Sequence, residues 1–249
     1  MKTKITGLII SFSFLIACKT LEYQNTENNG FRDAYRQAIT SAMSPDSSKI
    51  FNGLTRIDFD NENLVWKNFA GDDYILMVSW KQNISYYEPY IGSGFYNTGA
   101  YPLWVTASPE LKERMKTEKY NDKPMRLKQL LGLPPNATYS YFVEFWVKPE
   151  DLFRPCPDPE ITDEQCQLCF PSKTDSTHIN WINTNRIDRY YDCELYNKYP
   201  WTQLGYTYDW ASANKQPIGL SEFVIGCNKN IKVNAIYTTE EYLSGSKQK

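Results

Sequence analysis

The run Tyr139–Lys148 (YSYFVEFWVK) admits one regular conformation. Tyr139, Tyr141, Val143, Phe145 and Val147 fall on one side of an extended chain, and Ser140, Phe142, Glu144, Trp146 and Lys148 on the other. A period of two over ten residues rich in aromatic and β-branched side chains is the pattern of a strand. Tyr74–Trp80 (YILMVSW) is apolar almost throughout, as expected of a strand covered on both faces. Leu103–Ala107, Ser221–Gly226 and Ile231–Thr238 are further strand candidates, the last two joined as a hairpin through Cys227–Asn230. Arg56–Phe59 and Leu64–Trp66 are shorter ones. Residues 82–102, rich in Tyr, Gly, Asn and Ser, suit a long loop or an irregular hairpin.

Helical periodicity is local. Phe31, Tyr35, Ala38, Ile39 and Ala42 share one face, which predicts an amphipathic helix over 31–43 that stops at Ser44-Pro45-Asp46. Ser108-Pro109-Glu110 supplies an N-cap and a proline for a short helix to about Lys116. Pro124–Leu131 is another, ended by Gly132 and Pro134-Pro135. Residues 149–220 read as mostly irregular, and four of the six cysteines lie there. No repeat, low-complexity tract or linker divides the chain. The expectation is one α+β domain over 31–249, with a mainly antiparallel sheet, a few short helices and a long disulfide-stapled irregular region.

The N-terminus concerns location. Lys2 and Lys4 precede an apolar run, Ile5–Ala17, that suits a signal h-region and is shorter than the ~20 residues of a membrane span. It ends Leu15-Ile16-Ala17-Cys18, which resembles the bacterial lipobox. That resemblance implies removal of residues 1–17 and diacylation of Cys18, with residues 18–30 as a polar tether. It implies a membrane partner through the lipid and a place in the cell envelope, with Lys19 favouring the outer membrane. Two or more acyl chains hold a soluble domain on a bilayer, each buried methylene contributing about 0.8 kcal/mol.

Outside the cytoplasm, disulfides are expected. After Cys18 there remain Cys156, Cys166, Cys169, Cys193 and Cys227, enough for two bridges and one free thiol, with the pairing left open. Cys166-Gln-Leu-Cys169 has the spacing of a zinc or redox pair, yet it lacks a second such pair and a strand–helix context. A cysteine with His178 would make a nucleophile–base pair, but only their coexistence suggests it. No cofactor and no metal is expected.

Composition excludes several classes. Loss of Lys2 and Lys4 moves the formal charge from −2 to −4, so nucleic acid is not an expected partner. One histidine rules out an intact two-histidine zincin motif. No nucleophile elbow, Walker loop or dinucleotide fingerprint occurs.

Two polar constellations remain. Leu152–Asp163 brings Arg154, Asp158, Glu160 and Asp163 together on a segment stiffened by three prolines. It suits a rigid loop with an Arg–Asp clamp, and otherwise carboxylates that bind Ca²⁺ or act as general acid and base. Tyr199–Trp210, followed by Glu222, gathers Trp201, Tyr206, Tyr208, Asp209 and Trp210 as an aromatic corner or a sugar-stacking groove with carboxylates at its edge. Candidate ligand-binding residues are Arg154, Trp201, Tyr206, Tyr208 and Trp210. Candidate acid–base residues are Glu144, Asp158, Glu160, Asp163, Asp209 and Glu222.

The segments LWVTASPELK, LLGLPP, FVEFWVKPEDLFRPCPDPEITD, YPWTQLGYTYDW and GLSEFVI, spread over about residues 103–225, resemble a family of uncharacterised bacterial exported proteins and lipoproteins. The resemblance implies one intact domain and carries over no catalytic residue. The expected function is therefore an envelope lipoprotein that binds a partner protein or a glycan ligand. The alternative is a glycan-directed surface hydrolase working through two carboxyl groups.

Overall fold

A computed structural model describes residues 29–118, 120–211 and 216–245. The expected signal segment, Cys18 and the tether up to residue 28 lie outside the described residues.

The core is an antiparallel sheet built around β5 (Tyr141–Val147). On one side β5 pairs with β2 (Asp72–Lys81), and on the other with β10 (Asn230–Thr238). The sheet runs β3 (Tyr96–Asn97), β10, β5, β2, β4 (Leu103–Ala107), β9 (Phe223–Ile225), β6 (Leu152–Phe153). β1 (Trp66–Phe69) takes the same edge of β2 as β4, opposite Asp72–Ile75, while β4 pairs at Met77 and Val78. A separate two-stranded ribbon joins β7 (Tyr206–Tyr208) to β8 (Ile218–Ser221).

The alternation in β5 and β2 sets what each face of the sheet buries. Ile75, Met77, Val143, Phe145 and Val147 point into one cluster with Phe223, Ile225 and Val233. Val78, Trp80 and Phe142 point the other way, against α2 (Ser108–Thr117), α3 (Lys123–Leu130) and α5 (Thr239–Ser244) through Leu111, Leu127, Leu130 and Tyr242. A third cluster packs α1 (29–42) on α4 (Ser176–Tyr190), with Trp201 and Trp210 between them. Tyr35 is fully buried there, its ring edge-on to Trp210 at 5.6 Å and its hydroxyl bonded to Lys198 O at 2.7 Å.

The α+β class and the antiparallel sheet are as the sequence predicts, and several local readings are corrected. Helix α1 includes Asn29 and Gly30, which the tether was expected to hold. No strand forms over Arg56–Phe59; Ile57 N instead donates to Ile161 O at 2.7 Å. Ser108 is not an N-cap. It is the first residue of α2, and its hydroxyl turns inward to Glu144. Ser221–Gly226 is divided between β8 and β9. The segments flanking Cys227 do not form a hairpin: β9 pairs with β4 and β6, and β10 with β5 and β3. The connection is tied to the loop after β3, Asn228 N donating to Gly99 O at 2.7 Å.

The largest correction is α4, fifteen residues long within a stretch read as irregular. Its inward positions are 178, 179, 181, 182, 185, 186, 189 and 190, a clean helical period. Four of them are His178, Asn185, Arg186 and Arg189, and these polar residues hide the amphipathic pattern. Asp175 caps the helix, accepting from Thr177 N at 2.7 Å.

One disulfide forms, Cys156–Cys166, buried against Leu54, Leu204 and Tyr206. The expected second bridge is absent among the described residues, because Cys169, Cys193 and Cys227 are free and exposed.

Candidate functional site

The cleft opens where the second cluster meets the third. Its floor is the end of β2 (Val78–Lys81) with Trp104, Val105 and Thr106 of β4. Its walls are the turn after α3, Arg189 of α4, Tyr199–Trp201, Thr207 and Tyr208 of β7, and Glu222. The volume is about 260 Å³. Small-molecule sites run from roughly 300 to 1,000 Å³, so this one fits a single-ring molecule.

Apolar strand ends and aromatic corners converge here, so seven rings line the cleft: Trp80, Trp104, Tyr139, Phe142, Tyr199, Trp201 and Tyr208. Trp104 lies 5.7 Å from Trp181 and 6.1 Å, edge-on, from Trp201. The Arg189 guanidinium stacks on Trp104 at 5.1 Å and on Tyr199 at 4.9 Å. Such cation–π contacts hold a guanidinium in place without a hydrogen-bond partner. Some polar groups on the walls are satisfied internally: Ser79 Oγ donates to Trp104 O at 2.8 Å and Thr207 Oγ1 to Leu130 O at 2.7 Å.

Three others are not. Thr106 is 5% exposed, and its hydroxyl has no hydrogen-bond partner. Neither the Lys81 ammonium nor the Glu222 carboxyl makes a side-chain hydrogen bond or an ion pair with any described residue. Burial pulls Lys81 down to about 8. Burial pushes Glu222 up to about 8, with Arg189 partly opposing the rise. An amine and a carboxyl displaced towards neutrality in one cleft mark a candidate functional site.

The other candidate residues serve the scaffold. Glu144 is buried, accepting from Ser108 Oγ at 2.7 Å, Lys112 Nζ at 3.2 Å and Asn234 Nδ2 at 2.8 Å. Asn234 reaches it because a bulge in β10 between Val233 and Ala235 re-aims that side chain. Asp209 is gripped by both ends of the Arg126 fork, at 2.9 and 2.6 Å, and Arg126 also binds Glu118. Asp158 closes a turn, accepting from Glu160 N at 3.3 Å, and Glu160 binds Thr162 on the surface. Asp163 lies 3.6 Å from Arg154 Nε, and burial raises its carboxyl despite that arginine.

Arg154 is fully buried and braces its loop rather than facing a cleft. Its Nη2 reaches the carbonyls of Thr55 at 3.1 Å and of Ile161 and Asp163, and its guanidinium sits over Phe223 at 5.1 Å. Tyr206 donates to Lys49 O, and Trp210 Nε1 to Leu133 O. Of the candidate ligand-binding residues, Trp201 and Tyr208 line the cleft; of the carboxylates, Glu222 alone does.

His178 Nε2 lies 2.8 Å from the backbone oxygen of the bridged Cys156, and none of the free thiols, Cys169, Cys193 and Cys227, hydrogen-bonds to it among the described residues. No group of three or more His, Cys, Asp or Glu is arranged to hold a metal among the described residues. Sequence reasoning missed Lys81, Thr106 and Arg189. The available signal was a lysine ending a seven-residue apolar run, where a solvent-facing charge is out of character.

Comparison with protein-family models, curated proteins and solved structures found no match to the chain. No helix among the described residues is long and apolar enough to cross a membrane.

Proposed function

We propose that the chain is a lipid-anchored cell-envelope protein whose domain binds a small molecule in the aromatic cleft. The anchor rests on the N-terminal sequence: Lys2 and Lys4, the apolar run and Leu15-Ile16-Ala17-Cys18. The binding reading is carried by one observation: the Lys81 amine and the Glu222 carboxyl both line an aromatic cleft, and neither makes a side-chain hydrogen bond or a close ion pair with a described residue. A ligand that pairs them does so in a partly dry cleft, where such bonds are stronger than in open water.

The glycan hydrolase reading draws on Glu222, whose raised carboxyl suits a general acid. Two-carboxylate glycoside hydrolysis needs a second carboxyl within about 5–10 Å, and no other described carboxyl lines the cleft. Binding is therefore preferred.

Two experiments test the proposal. Metabolic labelling with an alkyne fatty acid should tag the wild type and not C18S; a labelled C18S variant refutes the anchor. Trp80, Trp104 and Trp201 line the cleft. Ligand occupancy should therefore change tryptophan emission of the full chain, and a small-molecule screen in which no compound does so refutes the binding site.

A further inference from the structure

Resting on the binding reading above, we propose that the cleft selects a single-ring molecule bearing one carboxylate, which pairs with Lys81 while its ring lies among the tryptophans and its other polar atoms meet Glu222.

The cleft carries two cations, and their surroundings differ. Arg189 is held between two rings and faces Glu222. Lys81 ends β2 with no described carboxylate against it, and burial alone perturbs its amine. A lysine left this way stays charged near neutral pH at a desolvation cost that an incoming anion relieves. Glu222 does not supply that anion: the cation it interacts with is Arg189, and burial pushes its carboxyl towards the neutral, proton-bearing form. With two cations against one carboxyl, the cleft is positive in its resting state and asks for a negative guest. The volume of about 260 Å³ sets the size of that guest at one ring, and the tryptophans in the lining give that ring apolar surface to pack on.

The charged or titratable groups lining the cleft are Lys81, Tyr139, Arg189, Tyr199, Tyr208 and Glu222. As pH rises through about 8, Lys81 loses its charge and Glu222 gains one. Anion binding should weaken accordingly, by about tenfold or more between pH 6.5 and 9.

The test is tryptophan fluorescence titration of the full chain with four probes: D-glucuronate, D-glucose, benzoate and benzyl alcohol. The two acids separate a sugar from an aryl source of the same chemistry. At pH 6.5 at least one acid should bind ten times or more tighter than its neutral counterpart. K81M should remove that preference, and pH 9 should reduce it. Removing an unpaired buried amine should not cost folding, and circular dichroism checks this. Equal affinity for acid and neutral probes, or a preference unchanged in K81M, overturns the anion selectivity and leaves the binding site standing. If none of the four binds, the selectivity falls; if a wider screen is also silent, so does the binding reading.

Discussion

Replacing Glu222 by glutamine isolates the energetic consequence of keeping a carboxyl in the cleft. In the unfolded chain the group releases its proton near 4.5, and in the folded protein near 8. Between those values the folded state holds a proton that the unfolded state has lost, so rising pH favours unfolding. Fully expressed, the shift corresponds to about 5 kcal/mol at pH 8 and above, and about 3 kcal/mol at pH 7. Glu222 is half-buried and keeps some contact with water, so about half of each figure is expected. Glutamine has the same shape and does not titrate. E222Q should match the wild type below pH 4.5 and exceed it by about 3–6 °C in Tm at pH 7, rising further to pH 8.5. Lys81 titrates alike in both proteins and cancels in the difference. The assay is paired thermal melts from pH 4 to 9. A Tm difference that stays constant with pH, or an E222Q protein less stable at pH 7, would refute the reasoning.

Three further outcomes follow from the scaffold. R126M removes both guanidinium hydrogen bonds to the buried Asp209 carboxylate, leaving it Ala211 N at 3.2 Å and Arg114 at 3.9 Å, and should cost about 3 kcal/mol in urea unfolding, with much of the loss recovered in R126M/D209N. Gly219 in β8 has no room for a methyl group, since a Cβ would stand 2.2 Å from Thr207 Oγ1 and 2.6 Å from Leu130 O; G219A should lose about 3 kcal/mol or express insolubly. Thiol titration of the native chain should find Cys169, Cys193 and Cys227 reactive, while reducing Cys156–Cys166, which closes a ten-residue separation, should lower stability by about 2–3 kcal/mol.

The strands were legible where one pattern decided them. β4 spans the predicted Leu103–Ala107, and β5 and β10 fall within a residue or two of their predicted bounds. There the period of two and burial on both faces agree. Legibility failed where tertiary partners override local pattern. Helix α4 turns four polar side chains inward, and a hydrophobic-period reading passes over it. The apolar segments around Cys227 look like hairpin arms, yet each finds better partners in distant strands. The cleft was half visible. Trp201, Tyr208 and Glu222 sit in the segment singled out for its aromatics, whereas Lys81, Thr106 and Arg189 arrive from three other elements. Asp209, beside them in sequence, is claimed by Arg126. Glu144 and Asp209, which looked like candidate acids in the sequence, are already satisfied by cations, amides and a hydroxyl, a matter of packing that spacing does not encode.

The place of β10 in the sheet bears on when the domain can form. It lies between β3 and β5, with Asn230 opposite Asn97 and Thr238 opposite Tyr141. A ribosome releases β5 long before its outer neighbour exists, so the nascent chain carries an open central edge until β10 is made, more than 80 residues later. Pairings across such sequence separations are slow to form and leave exposed strands to be shielded meanwhile. For a chain exported as proposed, that delay is an advantage. The polypeptide stays threadable while it is synthesised, and the sheet closes only once β10 has crossed.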